Sequence, residues 1–287
     1  MLGREAERSQ ISTCLKLGRS VLLEGPVGVG KTSLATDVIM RLGKPCFRVD
    51  GDSRMSESKL TGGFDPHRVV ASGYARENFI AGPLIEAMES GGVLFINELN
   101  RFPEGVQNVL LPVLDERKLF VPRLGTIEAR AGFVVIATQN PKEFVATSHL
   151  SEAILDRFDL VVVDYPDEKL ELEIVLEHLG KPTGAEIKRA ASDAVKLVRA
   201  SRDDRDVRRG GSVRAAISLA ELASVFAKAK GGPDVHSDGY DAAFRKAAHL
   251  TLSTRIETDG LVRDVIDRLV SAVLEGKASD RFEKKKR

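Results

Sequence analysis

Residues 25–32 read GPVGVGKT, and this run constrains the chain more than any other. It fits the pattern G-x-x-x-x-G-K-[ST], which carries meaning between a strand and a helix. Both neighbours are present: 20–24 (SVLLE) is a short apolar run, and 31–42 has helical periodicity. Gly25, Gly28 and Gly30 let the backbone curl so that successive N–H groups point inward at phosphate oxygens. The helix that follows offers its positive end to the same anion. The expected cradle is Gly25, Pro26, Val27, Gly28, Val29, Gly30, Lys31, Thr32 and Ser33. Lys31 should reach the β- and γ-phosphates, and the Thr32 hydroxyl should ligate Mg²⁺. ATP and Mg²⁺ are the expected ligands.

Around this loop the first half alternates short apolar runs with helical patterns, which predicts an α/β fold with a parallel sheet and flanking helices. Strands are expected at 20–24, 46–50, 92–97, 133–138 and 160–163, and helices at 4–17, 31–42, 81–90 and 103–116. Residues 60–80 read as a helix interrupted by a hairpin, and 116–132 as a hairpin. After Tyr165-Pro166 the patterns become helical throughout, with helices expected at 167–179, 185–201, 212–229, 239–254 and 260–275. The chain thus divides into an α/β domain, 1–165, and an all-helical domain, 166–287. Gly231-Gly232-Pro233 is a helix break, and the final FEKKKR reads as a charged tail.

Composition narrows the function. Lys plus Arg (43) nearly balances Asp plus Glu (42), so no global field draws the chain to nucleic acid or membrane. Cys14 and Cys46 are expected as small buried side chains rather than a disulfide. The five histidines lack metal-ligand spacing. No apolar run approaches the ~20 residues of a bilayer span, and the start lacks signal-peptide regions, which predicts a cytoplasmic protein.

A second element of phosphate chemistry should be an apolar strand ending in acidic residues. The run VLFINE (93–98) supplies it. Glu98 is placed to orient or deprotonate an attacking water. Asn97 stands where an aspartate is usual; its amide oxygen can accept a hydrogen bond from a Mg²⁺-bound water or from Thr32, but brings no negative charge. Two readings stay open: slow but real turnover, or a nucleotide-binding subunit with crippled hydrolysis.

In order and spacing, LLEGPVGVGKTSLA, GPLIEAMESGGVLFINELNR, LLPVLDERKL, VVIATQNP, LSEAILDRFD, DYP and GGSVRAAISL resemble the MoxR branch of the AAA+ ATPases. The resemblance implies a P-loop AAA+ core followed by a helical lid, working as a homo-oligomer, a ring of six being the usual AAA+ form. It implies that Asn140 is sensor 1, that Arg157 is an arginine finger reaching a neighbouring subunit, and that Arg214 is sensor 2. Otherwise Arg157 is a surface arginine paired with Asp156 or Asp159. Arg205, Arg208 and Arg209 read as solvated charges, a place for one of them at the subunit interface being the alternative. Tyr74 and Phe79 are either partner-contacting aromatics or packing for a hairpin base. The client implied is a protein, often one with a von Willebrand factor A domain. A nucleic-acid-directed motor, a non-hydrolysing nucleotide-gated scaffold and a small-molecule kinase are the other readings.

Overall fold

The computed structural model describes residues 2–140, 150–229 and 238–276, so Gly231-Gly232-Pro233 and the tail lie outside the described residues. The chain forms two compact units, Gly3–Asp164 and a second beginning at Tyr165.

The first unit is built on a five-stranded parallel sheet. Its strands are β1 (Val21–Glu24), β2 (Cys46–Asp50), β3 (Val93–Asn97), β4 (Val134–Gln139) and β5 (Asp159–Val162). They lie in the order β2-β3-β4-β1-β5. The interior strands have continuous buried runs, because covered faces leave no polar side. The edge strands β2 and β5 bury little more than Val49 and Val161. Cys46 on β2 is exposed and Cys14 half-buried, so neither is the buried side chain expected from the sequence. An edge strand has room for an outward thiol.

The helix Glu5–Lys16 and the crossover helices Lys31–Leu42 and Pro83–Ser90 start and stop close to their expected bounds. The helix expected over 103–116 breaks into Glu104–Asn108 and Leu110–Asp115. Pro112 explains the break, since it has no N–H to bond the carbonyl four residues earlier.

The two insertions differ in kind. Lys118–Val121 pairs antiparallel with Gly125–Glu128, the hairpin expected over 116–132. In the other, strand Gly62–Phe64 pairs with Phe79–Ala81, and helix Pro66–Ser72 lies between them. The nesting is therefore inverted from the expected one: the strands enclose a helix. Phe79 is buried, Tyr74 is half-exposed, and both rings meet Phe64 in edge-to-face contacts, at 5.1 and 5.0 Å between centroids. Arg123, at the tip of the other insertion, lies 4.3 Å over the Tyr74 ring.

The second unit contains helices Glu168–His178, Ala185–Asp203, Val213–Ala229, Asp238–Leu252 and Val262–Leu274. The first begins at Asp167, whose carboxylate accepts from the Leu170 N–H at 2.8 Å. Alanines such as Ala194, Ala216 and Ala248 are fully buried where the helices meet, and their small size allows close packing. To the five expected helices the structure adds a short antiparallel ladder, Val207–Arg209 with Glu257–Thr258. Arg208 in this ladder is exposed and pairs with Asp259.

Candidate functional site

The carboxyl ends of parallel strands and the loops after them are where α/β sheets place ligands. Here β1 ends at Glu24 and passes into the loop 25–30, which leads directly into helix Lys31–Leu42. Gly25 is required by packing: a Cβ there would lie 2.0 Å from the Val163 carbonyl oxygen. Gly28 and Gly30 have φ of 74° and 95°, conformations costly for other residues. Val29 is buried and anchors the loop, whereas Val27 is exposed. The Lys31 ammonium turns back to donate to the carbonyls of Gly25 and Pro26, at 2.6 and 2.8 Å. Ser33 follows within the first helical turn.

Beside this loop, register brings three strand ends together. Asp50 of β2 lies opposite Asn97 of β3, and Thr138 of β4 is next to Leu23 of β1. The Thr32 hydroxyl donates to Asn97 Oδ1 at 2.8 Å. The Thr138 hydroxyl donates to the same oxygen at 3.1 Å, and accepts the Glu98 N–H at 2.9 Å. Asn97 Nδ2 donates to Asp50 Oδ1 at 2.9 Å. Arg48 clamps that carboxylate through Nε and Nη2, which holds Asp50 below the usual carboxylate range.

Glu98 takes φ 63° and ψ 56°, a left-handed conformation uncommon outside glycine and a recurrent mark of functional sites. Its carboxylate pairs with the Arg101 guanidinium at 2.7 Å. Asn140 is buried just beyond β4, and its carbonyl accepts from Asn100 Nδ2 at 3.2 Å. These groups, Lys31, Thr32, Asn97, Glu98 and Asn140, lie at the carboxyl end of the sheet's interior strands.

Arg157 follows the helix Glu152–Leu155 and takes a partner the sequence reading did not name. It pairs with Asp115 at 2.6 Å rather than with Asp156 or Asp159, and also donates to the Ala153 carbonyl. Arg214 opens the helix Val213–Ala229 in the second unit, with its side chain exposed. Asp50, Thr138, Arg101 and Asp115 escaped the sequence reading. For Asp50 and Thr138 a signal existed: each is a polar residue at the carboxyl end of a run that reads as a parallel strand.

The family model of the AAA domain, dynein-related subfamily, matches residues 20–158. The Bacillus subtilis protein YojN is 31% identical over 230 residues, which cover 77% of this chain and 74% of YojN. The chain belongs to the AAA+ ATPases. The resemblance to the MoxR branch stands within that family. A second relative, the gas vesicle ATPase GvpN of Ancylobacter aquaticus, is 30% identical over 74% of this AAA+ chain. The aligned part spans 62% of that relative, so the AAA+ chain covers less than two thirds of its length. In fold, the AAA+ chain is similar to the Thermotoga maritima RuvB Holliday junction branch migration motor. That similarity has a TM-score of 0.55 at 19% identity, over 85% of this chain and 69% of that one.

Among the described residues, no helix is long and apolar enough to cross a membrane. Among them, too, no three or more His, Cys, Asp or Glu side chains gather as a metal site.

Proposed function

We propose that this chain binds and hydrolyses Mg-ATP between subunits of a homo-oligomeric ring, and uses the cycle to remodel or help mature a partner protein. The single observation that carries this reading is the 2.8 Å bond from Thr32 to Asn97, which joins the phosphate-loop helix to the strand that ends in Glu98. The donor set fits the ligand pair: loop N–H groups and an ammonium suit phosphates, while a hydroxyl and an amide oxygen suit a hydrated hard cation. Bound Mg²⁺ would neutralise charge on the phosphates.

In this reading residues 1–165 are the nucleotide-binding domain and 166–287 the lid. Lys31 exchanges its two loop carbonyls for phosphate oxygens. Glu98 leaves Arg101 to orient the attacking water, and the Asn140 amide helps align it. Arg157 leaves Asp115 to reach the adjacent protomer's site, where a planar guanidinium forks onto two oxygens. Arg214 couples nucleotide to the lid. A client with a von Willebrand factor A domain and a ring of six follow from the MoxR resemblance; a cytoplasmic setting accompanies them as part of the proposal. A relative named as a gas vesicle ATPase supports hydrolysis.

A nucleotide-gated scaffold is the second reading, favoured by Asn97 and by the Glu98–Arg101 pair. The likeness to RuvB concerns fold, and the balanced charge gives no support to a nucleic-acid motor. The test is ATPase rate and oligomer size for wild type, Lys31→Ala, Glu98→Gln and Arg157→Ala. A finger acting across subunits predicts that mixed Lys31→Ala and Arg157→Ala subunits regain partial activity. Equal background phosphate release by wild type and Glu98→Gln selects the scaffold. A monomer in ATP and Mg²⁺, even with its partner, removes the ring.

A further inference from the structure

A side-chain amide has two ends of nearly equal shape and opposite character, one accepting and one donating. Which end of Asn97 faces Thr32 therefore matters. The oxygen would welcome a hydrated cation, and the NH₂ group would repel it. The two hydroxyls that meet Asn97 cannot enforce the choice alone, because each can donate or accept.

Asp50 can enforce it. An ionised carboxylate only accepts, so at 2.9 Å it admits only the NH₂ end of the amide. With that end taken, Oδ1 must face Thr32 and Thr138, and it accepts from both. Asp50 is itself held in place. Arg48 grips both of its oxygens, at 2.7 to 3.2 Å. The next residue brings the chain hard against β3: the Gly51 N–H donates to the Asn97 carbonyl at 2.7 Å, and a Cβ on Gly51 would lie 2.0 Å from the Glu98 carbonyl oxygen.

We propose that Asp50 is a positioning residue of the nucleotide site, fixing the Asn97 amide so that its oxygen and not its NH₂ group faces Thr32 and the cation. Asp50 and Asn97 then work as one unit, with the carboxylate moved one strand outward from where an aspartate would ordinarily stand. The inference rests on the Mg-nucleotide reading above.

It makes a prediction of sign that simple structural support does not. In the wild-type background, Asp50→Asn offers the amide both a donor and an acceptor and loses the discrimination. In an Asn97→Asp background, two carboxylates face each other at hydrogen-bond distance and repel. There the same Asp50→Asn change relieves repulsion and supplies a donor.

The test is calorimetric titration of the full chain with ADP, in Mg²⁺ and in EDTA, for wild type, Asp50→Asn, Asn97→Asp and the double variant. The expected result is a loss of about five- to tenfold in affinity for Asp50→Asn in Mg²⁺, the scale of one charge-assisted hydrogen bond. That loss should be absent in EDTA, and it should turn into a gain in the Asn97→Asp background. Thermal melting of the ligand-free variants accompanies the titration, and equal midpoints are expected. The proposal is overturned by an equal loss in EDTA, by the same loss in both backgrounds, or by no loss at all. Absence of any ADP binding by wild type removes the nucleotide reading itself, and this inference with it. Intact Mg²⁺-dependent binding without the sign reversal removes this inference alone.

Discussion

Arg202 forks onto Glu171 through two hydrogen bonds, of 2.9 and 2.6 Å, and Glu171 has no exposed surface. Arg199 reaches the same carboxylate at 3.3 Å. Arg202 also lies 3.8 Å over the Tyr165 ring and donates from Nε to the Gly211 carbonyl at 2.7 Å. One guanidinium thus ties the first helix of the second unit to the glycine pair that precedes Arg214.

Removing one partner of a buried ion pair leaves the other uncompensated. Glu171→Ala should therefore destabilise the second unit by about 3 kcal/mol. Urea unfolding monitored by circular dichroism checks this. Arg202→Lys should destabilise it too, since an ammonium cannot fork, stack and reach Gly211 together. A wild-type midpoint for either variant would show that the pair is dispensable.

Tyr240 donates to Asp193 at 2.9 Å within the same unit, and burial pushes its phenol well above the ordinary value of 10.0. The fold keeps Tyr240 neutral, whereas the unfolded chain ionises it near pH 10. Its contribution is thus complete below pH 10 and is lost as pH rises beyond it. Tyr240→Phe should cost stability at pH 8 and show a shallower decline above pH 10. Unfolding midpoints of both proteins across that range test the sign.

Gly25→Ala places a methyl group against the Val163 carbonyl, where no flexible side chain can yield. The loop must move, and with it the carbonyls that hold Lys31. The variant should lose nucleotide affinity by about tenfold or more while melting within a few degrees of wild type, as expected for a shift confined to a surface loop. Fluorescent-nucleotide binding with parallel melting curves separates the two effects.

Arg123 over Tyr74 joins the two insertions at an exposed site. Such a contact is worth about 0.5–1 kcal/mol, so Arg123→Ala should barely change global stability. It should, however, speed amide exchange in 66–78 and 121–125, which depend on each other through this pair. Hydrogen exchange read by mass spectrometry would reveal unchanged protection if the insertions are independent.

Much of the fold was legible in the residues alone. The run CFRVD became a strand over its expected residues, GVLFIN did so from its second residue, and the helix after Gly30 begins at Lys31, because strand and helix periodicities and glycine chemistry are written within a few neighbours. The phosphate loop and the presence of Asn97 before Glu98 were equally plain. What the sequence could not state was who stands beside whom. Asp50 meets Asn97 because β2 docks on β3, and Arg157 meets Asp115 rather than its near neighbours Asp156 and Asp159. The inverted nesting around Pro66–Ser72 and the ladder joining Val207–Arg209 to Glu257–Thr258 are of the same kind. Each is a pairing between segments distant along the chain, chosen by strand order and packing. Local propensity determines the elements; only their assembly determines that a carboxylate from one strand turns an amide on the next.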